Sequence, residues 1–131
     1  VSISNESTCD FEQWIASEFA EDGSFTALIV LVHIVDTKVA APLCSTYLNV
    51  IGDEVEWSEM AVLFAGAGAD WSGAAFFPIR GDDGDPLDNP TARVRLQELE
   101  ARVNESKLVF NEGRFFDKWG RRFKIEEVES Q

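Results

Sequence analysis

Positive charge, histidine and cysteine are all scarce in this chain. Eleven Lys and Arg stand against 24 Asp and Glu, for a net charge of -13 and an isoelectric point near 4.3. A surface of that sign repels phosphate backbones and anionic lipid, which removes nucleic-acid and membrane-surface binding from the default functions. Two cysteines, Cys9 and Cys44, have no CxxC spacing and no His or Cys neighbours in register for zinc. They fit a cytoplasmic protein with reduced thiols. The longest apolar run, residues 27–35, is nine residues long and includes His33, against the roughly 20 that a membrane span needs. Residues Val1 to Glu6 show neither the basic start nor the apolar run of a secretory signal. Walker, GxSxG and HExxH sequences are absent, and so is any repeat of solenoid or propeller length.

What is present is enough for one core. A chain of 131 residues, 45% hydrophobic, can bury roughly two thirds of its unfolded surface as one domain. Residues 1–131 are therefore read as a single α+β domain. Its expected fold is a mainly antiparallel sheet of about five or six strands, about three helices on one face, and a C-terminal β-meander.

The least polar stretch runs from Trp57 to Ile79. Trp57, Met60, Ala61 and Phe64 fall at helical spacing, Gly66 and Gly68 break the helix, and Ala74 to Ile79 reads as a short strand. Its small side chains predict close approach of this helix to the sheet, with Trp57 and Trp71 filling the ends of the gap. Before it, Asp10 is the expected N-cap of a helix with Phe11, Trp14, Ile15 and Phe19 on one face and Gly23 at its end. Glu21 and Asp22 near the negative end predict fraying of the last turn. Phe25 to Val35, apolar on both faces, predicts a central strand. Ala40 to Pro42 reads as a connection, and Ser45 to Ile51 alternates as a second strand.

After the acidic loop at residues 81–88, Asn89 and Pro90 are the expected N-cap and first residue of a helix. Ala92, Leu96, Leu99 and Val103 form its buried stripe. The meander is expected at Lys107 to Phe110, Arg114 to Trp119 and Arg122 to Val128.

Four features carry candidate chemistry. Gly66 to Trp71 begins like a dinucleotide fingerprint, but Trp71 stands where the third glycine belongs and the motif ends a helix instead of opening one. Asp82, Asp83, Asp85 and Asp88 are weak metal candidates: counted from Asp83, Val94 occupies the twelfth position where an EF-hand has Glu, so a solvated loop is the plainer reading. His33, with Asp36, Tyr47 and Trp71, is the candidate lining of a ligand pocket, weighed against an ordinary strand histidine. Finally, residues 114–124 interleave five bases with four aromatics. In a basic protein this would suggest single-stranded RNA. Here it reads as a half-buried hairpin with a charged outer face.

No cofactor and no catalytic residue is assigned. The preferred reading is a protein-protein interaction domain, with Arg114, Lys118, Trp119, Arg121 and Arg122 as contact residues. Its partner is a second copy, giving a homodimer through the aromatic hairpin or the small-residue seam, or another protein, basic where it meets residues 1–90. Those 90 residues hold 16 acids and two bases, whereas residues 91–131 hold eight acids and nine bases. The alternatives are the small-molecule pocket or enzyme just named, and an acidic mimic of nucleic acid.

Overall fold

A computed structural model describes residues 9–36, 39–52 and 55–122. Within them lie helix α1 (Asp10–Asp22), strands β1 (Phe25–Asp36) and β2 (Val39–Val50), helix α2 (Trp57–Ala65), strand β3 (Gly73–Ile79), helix α3 (Asn89–Glu105), a 3-10 helix (Lys107–Glu112) and strand β4 (Arg114–Asp117). The strands form one antiparallel sheet in the order β2-β1-β3-β4. The α+β class is as expected, with four strands instead of five or six among the described residues. No described helix is long and apolar enough to cross a membrane.

The long apolar strand explains the layering. Phe25, Ala27, Ile29 and Leu31 of β1 face one core; Leu28, Val30 and Val32 face another. A central strand that is apolar on both sides must be covered on both. Accordingly α1 and α2 supply Phe11, Ile15, Trp57, Met60 and Phe64 to the first core, and α3 with the 3-10 helix supplies Leu99, Val103, Val109 and Phe110 to the second. The expectation of helices on one face is thus corrected by the two-sided pattern of β1 itself.

The two cores differ in chemistry. The first is aromatic, with Phe11, Trp57, Phe76 and Phe116 meeting at ring-centroid distances of 5.0 to 6.3 Å. The second is mostly aliphatic. Removing one fully buried ring from such a cluster costs about 3–5 kcal/mol.

Local departures from expectation have local causes. Cys9, not Asp10, is the N-cap of α1, without a side-chain cap bond, and Asp10 is its first helical residue. The frayed end predicted for α1 is held by a distant residue. Arg80 donates through Nη2 to the Gly23 carbonyl (2.8 Å), through Nε to that of Ser24 (3.2 Å), and through Nη1 to Glu18 (3.1 Å). A cation against the last carbonyls is what a helix C-terminus favours.

Strand β2 begins at Val39, so Ala40 to Pro42 belongs to it and is not a connection. Proline is tolerated because β2 is a margin strand. The register with β1 slips by one residue at Leu43, which sits between Cys44, opposite Leu31, and Pro42, opposite Val32. In β3, Pro78 is accommodated because β4 pairs only with Gly73 to Phe76.

Asp88, not Asn89, caps α3. Its carboxylate accepts from the Thr91 amide at 2.8 Å, and Pro90 follows in the first turn. At its far end the chain turns into the 3-10 helix, so the first meander strand, Lys107 to Phe110, is not formed. Consecutive Val109 and Phe110 are both buried in the second core, an arrangement that alternating strand geometry forbids. The second strand is β4. Of the third, Arg122 makes a bridge to Phe116, and residues 123–128 lie outside the described residues.

Candidate interaction surface

The small-residue seam does not pack on the sheet. Ala65 to Gly68 are exposed, and Gly68 serves as the turn residue at φ 73°. Trp57 and Trp71, by contrast, are buried against each other, edge to face with ring centroids 6.4 Å apart. The indoles close the interior at the end of the sheet where β4 finishes.

There the chain reverses in a turn from Asp117 to Arg122, and one carboxylate organises it. Asp117 Oδ1 accepts the amides of Trp119 (2.9 Å) and Arg121 (3.0 Å), while Oδ2 accepts Arg121 Nε (2.9 Å). The Asp117 amide donates to the Arg121 carbonyl and the Gly120 amide to the Asp117 carbonyl, both at 3.0 Å. Asp followed by Gly three residues later is the composition such a turn needs: a short acceptor to bond its own backbone, and a residue free to adopt positive φ. Gly120 has φ 76°.

Three further bonds fix the turn to the first core. Trp57 Nε1 donates to the Lys118 carbonyl (2.8 Å), Phe11 N–H to the Gly120 carbonyl (2.9 Å), and Arg122 N–H to Asp10 Oδ2 (2.7 Å). Gly120 is buried so tightly that an added Cβ would stand 2.7 Å from Trp57 Cγ and 2.9 Å from Cys9 Sγ. A turn anchored this way has little freedom to rearrange.

Its outward side chains are those the sequence singled out. Trp119 is 66% exposed, and the Arg121 guanidinium lies 5.0 Å from its ring centroid. Lys118 is exposed with its ammonium 5.8 Å from the Trp71 ring. Arg114 and Arg122 border a cleft of about 360 Å³ against Trp14 and Ser17 of α1. Both are exposed, and neither forms an ion pair among the described residues. What sequence reasoning missed is the carboxylate that arranges the bases and the indole of Trp57 that holds the turn from beneath. The Asp-Lys-Trp-Gly order carried the first signal; the second is a contact between residues 61 positions apart.

The other candidates are dispersed. Tyr47 lies opposite Leu28 and packs on the second core, its hydroxyl 3.3 Å from Asn89 Oδ1, whereas Trp71 is buried in the first core. The sheet stands between them. His33 is exposed, with Nδ1 3.3 Å from the Asp70 carbonyl oxygen. The side chain of Asp36 lies outside what the structure describes.

In the acidic loop, Asp83 accepts the Asp85 amide at 3.0 Å and Asp88 caps α3. Asp82 and Asp85 are exposed. Among the described residues no three His, Cys, Asp or Glu side chains gather as a metal site would require. The hydrogen bonds from Thr91 hold the Asp88 carboxyl below its usual range.

Comparison of the chain with family models, with curated proteins and with solved structures found no match in any of the three.

Proposed function

We propose that the domain acts by binding another protein, with the turn from Asp117 to Arg122 as its contact surface. The observation that supports this most is the pairing of an exposed Trp119 with Arg121 on a turn held by Asp117 and Gly120. Tryptophan and arginine are the side chains that most often dominate binding energy at interfaces. A pair already ordered before contact loses little conformational entropy on docking.

The partner surface that suits this turn is acidic. Arg121 lies against the indole and Lys118 and Arg122 are exposed beside it in the chain, while the Asp117 carboxylate is taken up by the turn itself. The remainder of the molecule carries the opposite sign: the first 90 residues hold only two bases, and one of them, Arg80, is committed to Glu18 and the end of α1. An acidic partner is therefore repelled by the surface of the first 90 residues and attracted at this corner, which favours one orientation of docking.

The test is affinity capture with the chain as bait, repeated at raised salt. Trp119→Ala should weaken a captured partner by about thirty-fold or more, and the double replacement Arg121→Ala with Arg122→Ala by about ten-fold. Raised salt should also release the partner. A bait carrying all three replacements that still retains the same proteins would remove the turn from the interface.

A further inference from the structure

The opposite margin of the sheet carries a second surface, independent of the turn. Strand β2 has twelve residues, Val39–Val50, none of them charged, in a chain of which 27% of residues are charged. Among the described strands it pairs only with β1; α3 lies against one of its faces, with the Ser45 hydroxyl donating to Glu100 and Tyr47 to Asn89, and no described strand occupies its other edge. Soluble proteins ordinarily blunt such an edge with lysine, with proline, with a bulge or by keeping the strand short, because unpaired amides and carbonyls template another strand. Here Pro42 and the slip at Leu43 interrupt one end, and α3 covers a face of the strand without adding a strand to its edge. From Cys44 to Val50 the strand pairs residue for residue with Leu31 back to Phe25, without interruption. That is seven residues, about 24 Å of regular edge.

We propose that this edge pairs antiparallel with the same edge of a second copy, joining two four-stranded sheets into one of eight about a two-fold axis. The strand carries no charge that would oppose itself across such an axis. With the axis at Tyr47, Cys44 faces Val50 of the other copy, Ser45 faces Asn49, and Thr46 faces Leu48. One step further out, Leu43 meets Ile51. Those last two are among the few large apolar side chains left exposed among the described residues, at 41% and 70%, and the symmetry covers both at each end. In a two-fold pairing, residues equidistant from the axis meet, so acidic residues spread along the strand would oppose one another across it. An uncharged strand is the composition this arrangement requires. Each copy has one such edge and the pairing is isologous, so it closes at two copies without growing into fibres. The β4 margin cannot substitute: β4 has four residues, carries Arg114 and Asp117, and is bridged through Phe116 to Arg122.

Salt separates this contact from the turn. Two bodies of net charge -13 repel, so screening should tighten the dimer, whereas it should loosen an acidic partner held by cations. The experiment is sedimentation of the full chain over a range of concentration and salt, with three variants beside it. Expected are a dimer that strengthens with added salt, at least a tenfold loss of association in Thr46→Lys with the far-ultraviolet dichroism retained, and no loss in Trp119→Ala. Tyr47→Cys, made with Cys44→Ser, should form an intermolecular disulfide when an oxidant such as oxidised glutathione is added to take up the two electrons, because the two replaced side chains meet on the axis. This cross-link reads the register even where Thr46→Lys folds poorly. A chain that stays monomeric at every concentration and salt overturns the proposal. So does a dimer that Trp119→Ala dissociates, or one in which position 47 does not cross-link.

Discussion

The two margins of the sheet are built on opposite plans. At one, β4 is four residues long and charged, and it runs into a turn whose carboxylate, glycine and indole contacts fix its main chain. At the other, β2 is twelve residues long and uncharged, and no described strand pairs with its outer edge. The first margin offers side chains and the second offers backbone. Recognition by side chains needs a rigid platform, because each bond depends on placement. Pairing by backbone needs only a flat edge and the absence of anything that repels. The aromatic core lies beneath the turn for that reason: Trp57 touches Phe11, Phe116 and Trp71 on one side and holds the Lys118 carbonyl on the other.

If the turn and the aromatic core are one unit, the largest effect should follow from damage at their junction. Gly120→Val combines positive φ with a Cβ inside contact distance of Trp57 and Cys9. Its cost should be about 3 kcal/mol or more, from backbone strain plus overpacking. Thermal or urea unfolding measures it. A variant as stable as the parent would mean that the turn sits on the core loosely, and the contrast between the margins would collapse.

The β2 side has its own internal tie, of smaller expected size. Thr26 is the one buried polar side chain of the described core; its hydroxyl donates to Asn49 Oδ1 at 2.7 Å and accepts the Leu87 amide at 2.8 Å. It joins β2 to the end of the acidic loop. Thr26→Val keeps the shape and leaves the Leu87 amide without its acceptor, so about 2 kcal/mol should be lost. Unfolding by urea checks the value, and an unchanged midpoint would show that the loop takes no support from the sheet.

Trp119→Ala should change stability by no more than about 0.5 kcal/mol, since an exposed ring contributes little to the fold. The same replacement is expected to abolish most partner binding. That separation of effects sharpens the comparison, because a side-chain platform should lose function without losing structure. Marked destabilisation by Trp119→Ala would reassign the ring from recognition to packing.

Much of this was legible in the sequence, and the remainder was hidden for physical reasons. Helical spacing placed Trp57, Met60 and Phe64 on the inner face of α2, and the unbroken apolar run of β1 made it central. That same run implied cover on both faces, although the pattern of the helices alone did not say which went where. Val109 and Phe110 read as strand because short apolar runs have no distinctive period; only packing on α3 turns them into a 3-10 helix. Arg80 looked like a stray base until the fold brought it to the end of α1. At the candidate site the bases and Trp119 were visible, but the role of Asp117 was masked by the number of other acids. Tyr47 and Trp71 could not be assigned to opposite faces before the register of β2 was known.

The smallest effect concerns the cover that α3 gives to β2. Asp88 caps this helix, and Tyr47 of β2 reaches Asn89 in its first turn. Hydrogen bonds from Thr91 lower the Asp88 pKa in the folded state. A carboxyl whose folded pKa is depressed contributes stability that is present above its unfolded value and lost as pH falls through the folded one. Asn caps a helix about as well as Asp but does not titrate. Asp88→Asn should therefore match the parent near pH 4, where the parent's advantage begins to fade, and lose less than the parent on further acidification. The group is fully exposed, so solvent and salt keep the difference small and melting curves at low ionic strength are the sensitive measurement. Parallel curves for the two proteins throughout the acid range would show that the cap bond carries no charge-dependent stability.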